Sequence, residues 1–128
     1  MDSLFDQSAL IALAERLIKA ARTAGADSAD AVAMRSMSQS VDVRDGAVEE
    51  SQRSEGDDMG LRVLIGRKQA VVSTNDMSGE GVNGLAERAV AMARVAPEDR
   101  YAGLADPAKL AKDFPRSEER RVGKECRL

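Results

Sequence analysis

The chain has 128 residues, with 19 Lys and Arg against 22 Asp and Glu, and so carries a formal net charge of −3 at pH 7. This length predicts one domain with a modest core. The excess of acid disfavours nucleic acid as a partner, because phosphate binding requires clustered positive charge. The sequence has no histidine, the commonest general base and metal ligand. Its one cysteine, Cys126, lies near the C-terminus, so no disulfide framework is expected.

No segment has the composition of a signal peptide or a membrane span. Residues 1–6 contain acid instead of a basic leader, and the apolar stretch that follows is interrupted by Glu15, Arg16 and Lys19. A spanning helix would need ~20 consecutive apolar residues. We therefore expect a cytoplasmic protein that does not engage a membrane. With two phenylalanines, one tyrosine and no tryptophan, its core should be aliphatic and thin.

The first predicted element is a helix over residues 7–24. Apolar side chains recur there at spacings of three and four, which is typical of one buried helical stripe. Gly25 follows and suits a C-terminal glycine cap. The stripe consists of Leu10, Leu13, Ala14, Leu17, Ile18 and Ala21.

Two β-hairpins are predicted next. Alternating side chains indicate strands over residues 31–44 and 47–55, joined by Asp45-Gly46, a dipeptide suited to a tight turn. A change of phase in residues 36–40 predicts a bulge or a weakly buried edge. The second strand is mostly polar and should be exposed, and residues 56–58 are predicted to form a loop.

The second hairpin consists of strands over residues 60–65 and 69–74, with Gly66 at the first central position of a type II′ turn. Ser78 can then cap a second helix, which Pro97 ends. That helix has its own stripe of Val82, Leu85, Ala86, Ala89, Val90 and Ala93. We predict an α+β fold, in order helix, two hairpins, helix (α-β-β-β-β-α). Both helices should pack on one face of a four-stranded antiparallel sheet.

The last thirteen residues, 116–128 (RSEERRVGKECRL), differ from the rest. The string RSEERRVGKEC resembles the in-frame translation of a common sequencing adapter. We therefore expect 116–128 to be non-native or disordered, and 1–115 to be the N-terminal α+β domain of a longer protein. An ordinary charged tail is the alternative interpretation. Residues 1–115 contain no cysteine, and so no thiol nucleophile.

The sharpest motif is a formal G-x-G-x-x-G over residues 79–84, with Asp99 at a suitable distance for a ribose contact. We do not predict dinucleotide binding, because the preceding strand belongs to an antiparallel hairpin and Asp99 follows Pro97 in a loop. A helix whose first turn is rich in glycine is the simpler interpretation.

Four other groups of residues have simple structural interpretations. Asp57 and Asp58 are predicted to lie in a solvated turn, since adjacent carboxylates point apart. Arg67 and Lys68 at a hairpin tip could clamp an anion, but more often such charges keep a sheet edge soluble. The remaining groups are three serines without a histidine to activate them, and five methionines that should fill the core or serve an interface: Ser36, Ser38 and Ser40; Met34, Met37, Met59, Met77 and Met92. We predict no catalytic, cofactor-binding or metal-ligating residue in 1–115.

Five segments together resemble the N-terminal domain of the TldD/PmbA family, and the fifth resembles its PmbA (TldE) branch in particular. No single motif is diagnostic, and the weight lies in the continuous order of the elements. The segments are residues 13–30, 49–67 (including DMGLRVLIGR), 72–78 (VSTNDMS), 85–94 (LAERAVAMAR) and 95–104 (VAPEDRYAGL).

The resemblance implies a bacterial, cytoplasmic metalloprotease made of a TldD-like and a PmbA/TldE-like subunit, which acts on unfolded or modified peptides. Older usage calls PmbA a modulator of DNA gyrase. Zinc is implied for the TldD-like subunit, on a His-Glu-x-x-x-His helix and a later cysteine in its C-terminal domain, and none of those residues occurs in 1–115. The expected partners are a TldD-like subunit or a second copy, and a peptide substrate.

Three functions stay open from the sequence. The chain is expected to be the non-catalytic N-terminal domain of a PmbA/TldE-like component. It could instead be the same domain of the metal-bearing peptidase subunit, in which case the full protein is the enzyme. As a third alternative, it could be a free-standing interaction module whose C-terminal tail is genuine.

Overall fold

The computed structural model describes residues 7–114. Its elements are α1 (Ser8–Ala24), β1 (Ser28–Arg44), β2 (Ala47–Ile65), β3 (Lys68–Thr74) and α2 (Gly79–Val95), followed by a short 3-10 turn at Pro107–Lys109. The described strands form one antiparallel sheet in the order β1-β2-β3. The α+β class is thus confirmed. The proposed tail, 116–128, lies outside the described residues.

The predicted four-stranded sheet is wrong, because the second and third predicted strands are one continuous strand, β2. The predicted loop at residues 56–58 does not form. Each of these residues is paired with β1 instead, for example Ser36 with Gly56 and Arg35 with Asp57. Gly and Asp disfavour strands locally. Here the ladder formed with a partner strand about twenty residues away overrides that local preference.

The predicted bulge also lies elsewhere. Pairing is regular through residues 36–40, and the register shift falls between Asp42 and Val43, beside the Asp45-Gly46 turn. The phase change in 36–40 is no sign of a bulge, because residues 34–56 are exposed and neither face there needs an apolar pattern. Asp45 and Gly46 both have positive φ, as the two central residues of a type I′ turn require. In the second turn Gly66 alone has positive φ among the central residues, as type II′ requires.

Both helices pack on one face of the sheet, called here the helix side. Leu17 and Ala21 of α1 are fully buried, and all six predicted stripe residues of α2 are buried. They meet the odd-numbered side chains of β2, Met59, Leu61 and Val63. From Glu50 onward, even-numbered side chains of β2 lie on the opposite, outer face, and the register shift beside the turn reverses this alternation for Val48. The core is aliphatic, as predicted, and contains no aromatic side chain among the described residues.

The helix ends follow from local sequence. Gly25 ends α1 in the left-handed region, with φ of 117°, as a glycine cap does. Ser78 caps α2 by accepting a hydrogen bond from the Gly81 amide. The Asp76 carboxylate accepts one from the Ser78 amide, and hydrogen bonding to Ser78 lowers the pKa of Asp76. A lowered pKa means that this contribution to stability is present at neutral pH and is lost as the pH falls through that pKa.

Candidate functional site: an exposed two-stranded arm

The β1–β2 hairpin extends well past the helices as an arm, defined here as residues 35–57. Its two strands pair from Arg35 with Asp57 to Arg44 with Ala47, a length of roughly 30 Å at about 3.4 Å per residue. Nearly every residue of the arm is exposed on both faces. A free two-stranded hairpin is marginal in water, so this surface is a candidate for contact with another domain or chain.

The two faces of the arm differ in chemistry. Its helix-side face has a stripe of exposed apolar side chains, Met37, Val41, Val43 and Val48, with Val43 directly opposite Val48. The outer face has Ser36, Ser38 and Ser40 in a row, with the Ser36 hydroxyl bonded to the Gly56 carbonyl at 3.2 Å. These serines are solvent-facing strand residues. An apolar stripe on an exposed ribbon indicates a binding surface more than a folding core.

The five methionines divide between core and exposed positions. Met59 is buried in the core and Met77 packs against it, while Met34, Met37 and Met92 are about half exposed. Flexible exposed methionines are common at binding surfaces.

The arm's arginines are held in ion pairs with its own carboxylates. The Arg35 guanidinium bonds both oxygens of Asp57, at 2.9 and 3.4 Å, and Arg53 pairs with Glu55. Such exposed pairs contribute little stability.

Asp57 and Asp58 lie in strand β2 and not in the predicted solvated turn. Their side chains lie on opposite faces, as expected for neighbours in a strand.

A second charged group has a structural role that sequence reasoning missed. The Arg67 guanidinium donates to the carbonyls of Arg100 and Ala102, at 3.4 and 3.1 Å. Lys68 Nζ donates to the Arg94 carbonyl at the C-terminal end of α2, at 3.2 Å. Instead of clamping an anion or only protecting an edge, these cations fasten the segment after α2 to the β2–β3 turn.

Replacing Arg67 by Ala tests this fastening. We expect the amides of Asp99, Tyr101 and Ala102, which are hydrogen-bonded within or beside this segment, to exchange about fivefold faster in hydrogen–deuterium exchange, the effect of ~1 kcal/mol. Arg22→Ala, the same charge loss on exposed α1, should leave those amides unchanged. Equal effects of the two variants would contradict the assigned role.

The glycine-rich motif has a steric explanation. β3 is antiparallel to β2, so residues 79–84 do not lie in a parallel βαβ unit. A Cβ on Gly81 would lie 2.4 Å from the Asp76 carbonyl oxygen. Asp99 bonds to the backbone of Arg67 and Tyr101 in its loop and is used in turn formation. The motif therefore packs the start of α2 against the preceding turn.

A groove of about 730 Å³ runs between α1 and α2. Arg94 crosses one end to donate to the Ala24 carbonyl at 3.5 Å. The other charged residues that line the groove are Arg16, Lys19 and Glu87, and all three are exposed. Mostly small residues form the floor of the groove. This open groove holds no group of catalytic side chains.

The zinc chemistry that the resemblance implies does not fit the described residues. Zinc sites use imidazole or thiolate ligands, residues 7–114 contain neither, and within that range no three carboxylates converge as metal ligands. Within 7–114, none of the helices has the length and apolar character needed to cross a membrane.

Comparison with known proteins identifies the domain. A family model described as PmbA/TldA metallopeptidase domain 1 matches residues 29–93, 65 of the 128 residues. The comparison with curated proteins gave no match. The crystal structure of a candidate modulator of DNA gyrase from Bacteroides thetaiotaomicron superposes with a TM-score of 0.75 at 19% identity, covering 88% of this chain and 25% of that chain.

At that identity the structural likeness shows the fold, and this chain spans a quarter of the length of the solved protein. The family match is stronger evidence, since it covers nearly all of β1 to α2, from residue 29 to residue 93, and includes the arm. The chain belongs to the PmbA/TldD family, and its residues 29–93 match the model of that family's first domain.

Proposed function

We propose that this chain is the non-catalytic N-terminal domain of a PmbA/TldE-like component of a TldD/PmbA metallopeptidase, and that it acts in assembly. The observation that supports this most directly is the arm, whose apolar stripe of Met37, Val41, Val43 and Val48 is exposed to solvent. Covering such an apolar stripe with another protein surface lowers the free energy, because apolar area is removed from water. The surface that covers it is a TldD-like subunit or a second copy, with peptides as the substrates of the assembly.

The source locus provides the first test. We expect its sequence past the codon for Pro115 to continue in frame without RSEERRVGKEC. The continuation should also lack a His-Glu-x-x-x-His motif. Finding that motif would make the chain the N-terminal domain of the catalytic subunit. A frame that encodes residues 116–128 and then stops would leave a free-standing interaction module.

Activity provides a second test. We expect the 128-residue chain to cleave neither casein nor short peptides at any zinc concentration, while the full-length protein restores cleavage only together with a TldD-like subunit. Zinc-dependent cleavage by the chain alone would overturn the non-catalytic assignment.

Changing Val43 and Val48 together to Ser in the full-length protein should weaken copurification with the TldD-like subunit. The control is Val95→Ser, at an exposed valine outside the arm.

A further inference from the structure

The edge of β2 is unpaired along most of the arm. β3 pairs only with residues 59–65 of β2, whereas β1 pairs with β2 over almost its whole length. Beyond the end of β3 at Thr74, residues 49–58 of β2 therefore have a neighbouring strand on one side only within the described chain. The sheet has a step there, ten residues long, in line with β3.

Two observations show which backbone groups face this free edge. The two-residue turn at Gly66 makes Ile65 and Lys68 a hydrogen-bonded pair. The backbone N–H and C=O groups of the odd-numbered residues of β2 therefore point toward β3 within the plane of the sheet. The Leu64 carbonyl accepts a hydrogen bond from the Asp27 amide, on the β1 side. Continued along the strand, this alternation directs the N–H and C=O groups of Ser51, Arg53, Glu55 and Asp57 toward the free edge.

The free edge of β2 is also strongly acidic. Residues 49–58 contain five carboxylates and one arginine, while β1 has two of each sign. Three of those five carboxylates are ion-paired, with Arg44, Arg53 and Arg35. Glu50 and Asp58 have no cationic partner among the described residues, and Glu50 accepts a hydrogen bond from Gln52 instead. Both lie on the outer face, eight positions apart.

We propose that this edge binds an extended basic peptide, which adds to β2 as a third strand of the arm. The peptide's backbone pairs with the four edge-facing residues, and two Lys or Arg side chains, eight positions apart, lie opposite Glu50 and Asp58. Between them Ser54 and Gly56 leave room on the outer face for larger side chains of the peptide. Nothing within 4 Å except the Ser36 hydroxyl approaches the position of a Cβ on Gly56.

Charged residues at a strand edge also discourage aggregation, and that simpler role predicts no binding that depends on peptide sequence. The proposed binding deepens the peptide-related function proposed above and rests on it for the nature of the ligand. The test below measures binding alone. A failed binding test would leave the family role standing, and a failed activity test would leave the binding result standing.

The probe is a fluorescein-labelled peptide of eleven residues, with lysine at its second and tenth positions and alternating Val and Thr between them. Fluorescence anisotropy with the 128-residue chain should give saturable binding. The same peptide with glutamate at both positions should bind about tenfold more weakly, and methylation of its alternate backbone amides should abolish binding. Failure of the lysine peptide to bind at millimolar protein overturns the proposal.

Two pairs of variants locate the site. Changing Glu50 and Asp58 together to Lys should raise the Kd about tenfold, while changing Glu15 and Glu87 to Lys, the same charge change on the helices, should alter it less than about twofold. Ser51→Pro removes an amide that faces the free edge, so it should weaken binding and leave the far-UV circular dichroism unchanged. Equal effects of the two charge variants, or full binding by Ser51→Pro, would overturn the proposal.

Discussion

Replacing Leu17 by Ala should lower the free energy of unfolding by about 3 kcal/mol. Leu17 is fully buried in the middle of α1 and belongs to the one cluster that joins both helices to the sheet. Most of the α2 side chains in that cluster are alanine or valine, too small to close the cavity that the substitution leaves. Urea unfolding followed by circular dichroism measures the change.

The control is Ile11→Ala on the same helix. Ile11 is 56% exposed, so its truncation should change stability by less than about 0.5 kcal/mol. Because a small domain with a thin core has only a few kcal/mol of total stability, Leu17→Ala should be largely unfolded at 37 °C. A loss for Leu17→Ala no greater than that for Ile11→Ala would mean that the packing of α1 on the sheet is wrong.

The helices could be predicted from sequence because their signals are local. The six stripe residues of α2 recur with helical spacing, and Ser78 and Pro97 mark its two ends within a few residues. All of this information lies within about twenty consecutive residues. Burial of the whole stripe confirms that the pattern reports on tertiary packing as well as on helix formation.

The course of β2 could not be predicted in the same way. Gly56, Asp57 and Asp58 have the composition of a loop, and what keeps them in a strand is pairing with residues 34–36 of β1. The roles of Arg67 and Lys68 were missed for a similar reason, since the carbonyls that they bind belong to residues 94–102. Interactions between such distant segments leave no periodic signal in the sequence.

The candidate site was predicted only in part. Exposure of the polar return strand was expected and is confirmed, but its shape was not, since a loop at 56–58 would have divided it into two short pieces. Only the continuous strand generates both the length of the arm and the unpaired edge beyond β3. The candidate functional surface, the arm with its unpaired edge, therefore depends on β2, the strand whose length could not be predicted from the sequence.

The largest contrast between similar substitutions should occur in the glycine-rich turn of α2. Gly81→Ala should destabilise the domain by about 2 kcal/mol, because the added Cβ would lie 2.4 Å from the Asp76 carbonyl oxygen and 2.5 Å from its Cγ. Relieving that overlap means moving Asp76 away from the Ser78 amide, to which it is bonded at 3.0 Å. The substitution therefore also weakens the cap of the helix.

Gly84 is the matched control, three residues later in the same helix. Nothing lies within 4 Å of the position that its Cβ would occupy, so Gly84→Ala should stabilise the domain by ~0.5–1 kcal/mol through better helix propensity. Urea unfolding should therefore show a lower midpoint for Gly81→Ala and a higher midpoint for Gly84→Ala, with unchanged m-values. If residues 79–84 were instead a dinucleotide-binding loop, both glycines would be needed for binding the ligand, and Asp76 would not restrict the residue type at either position. Stabilisation by both alanines would show that Asp76 does not constrain Gly81.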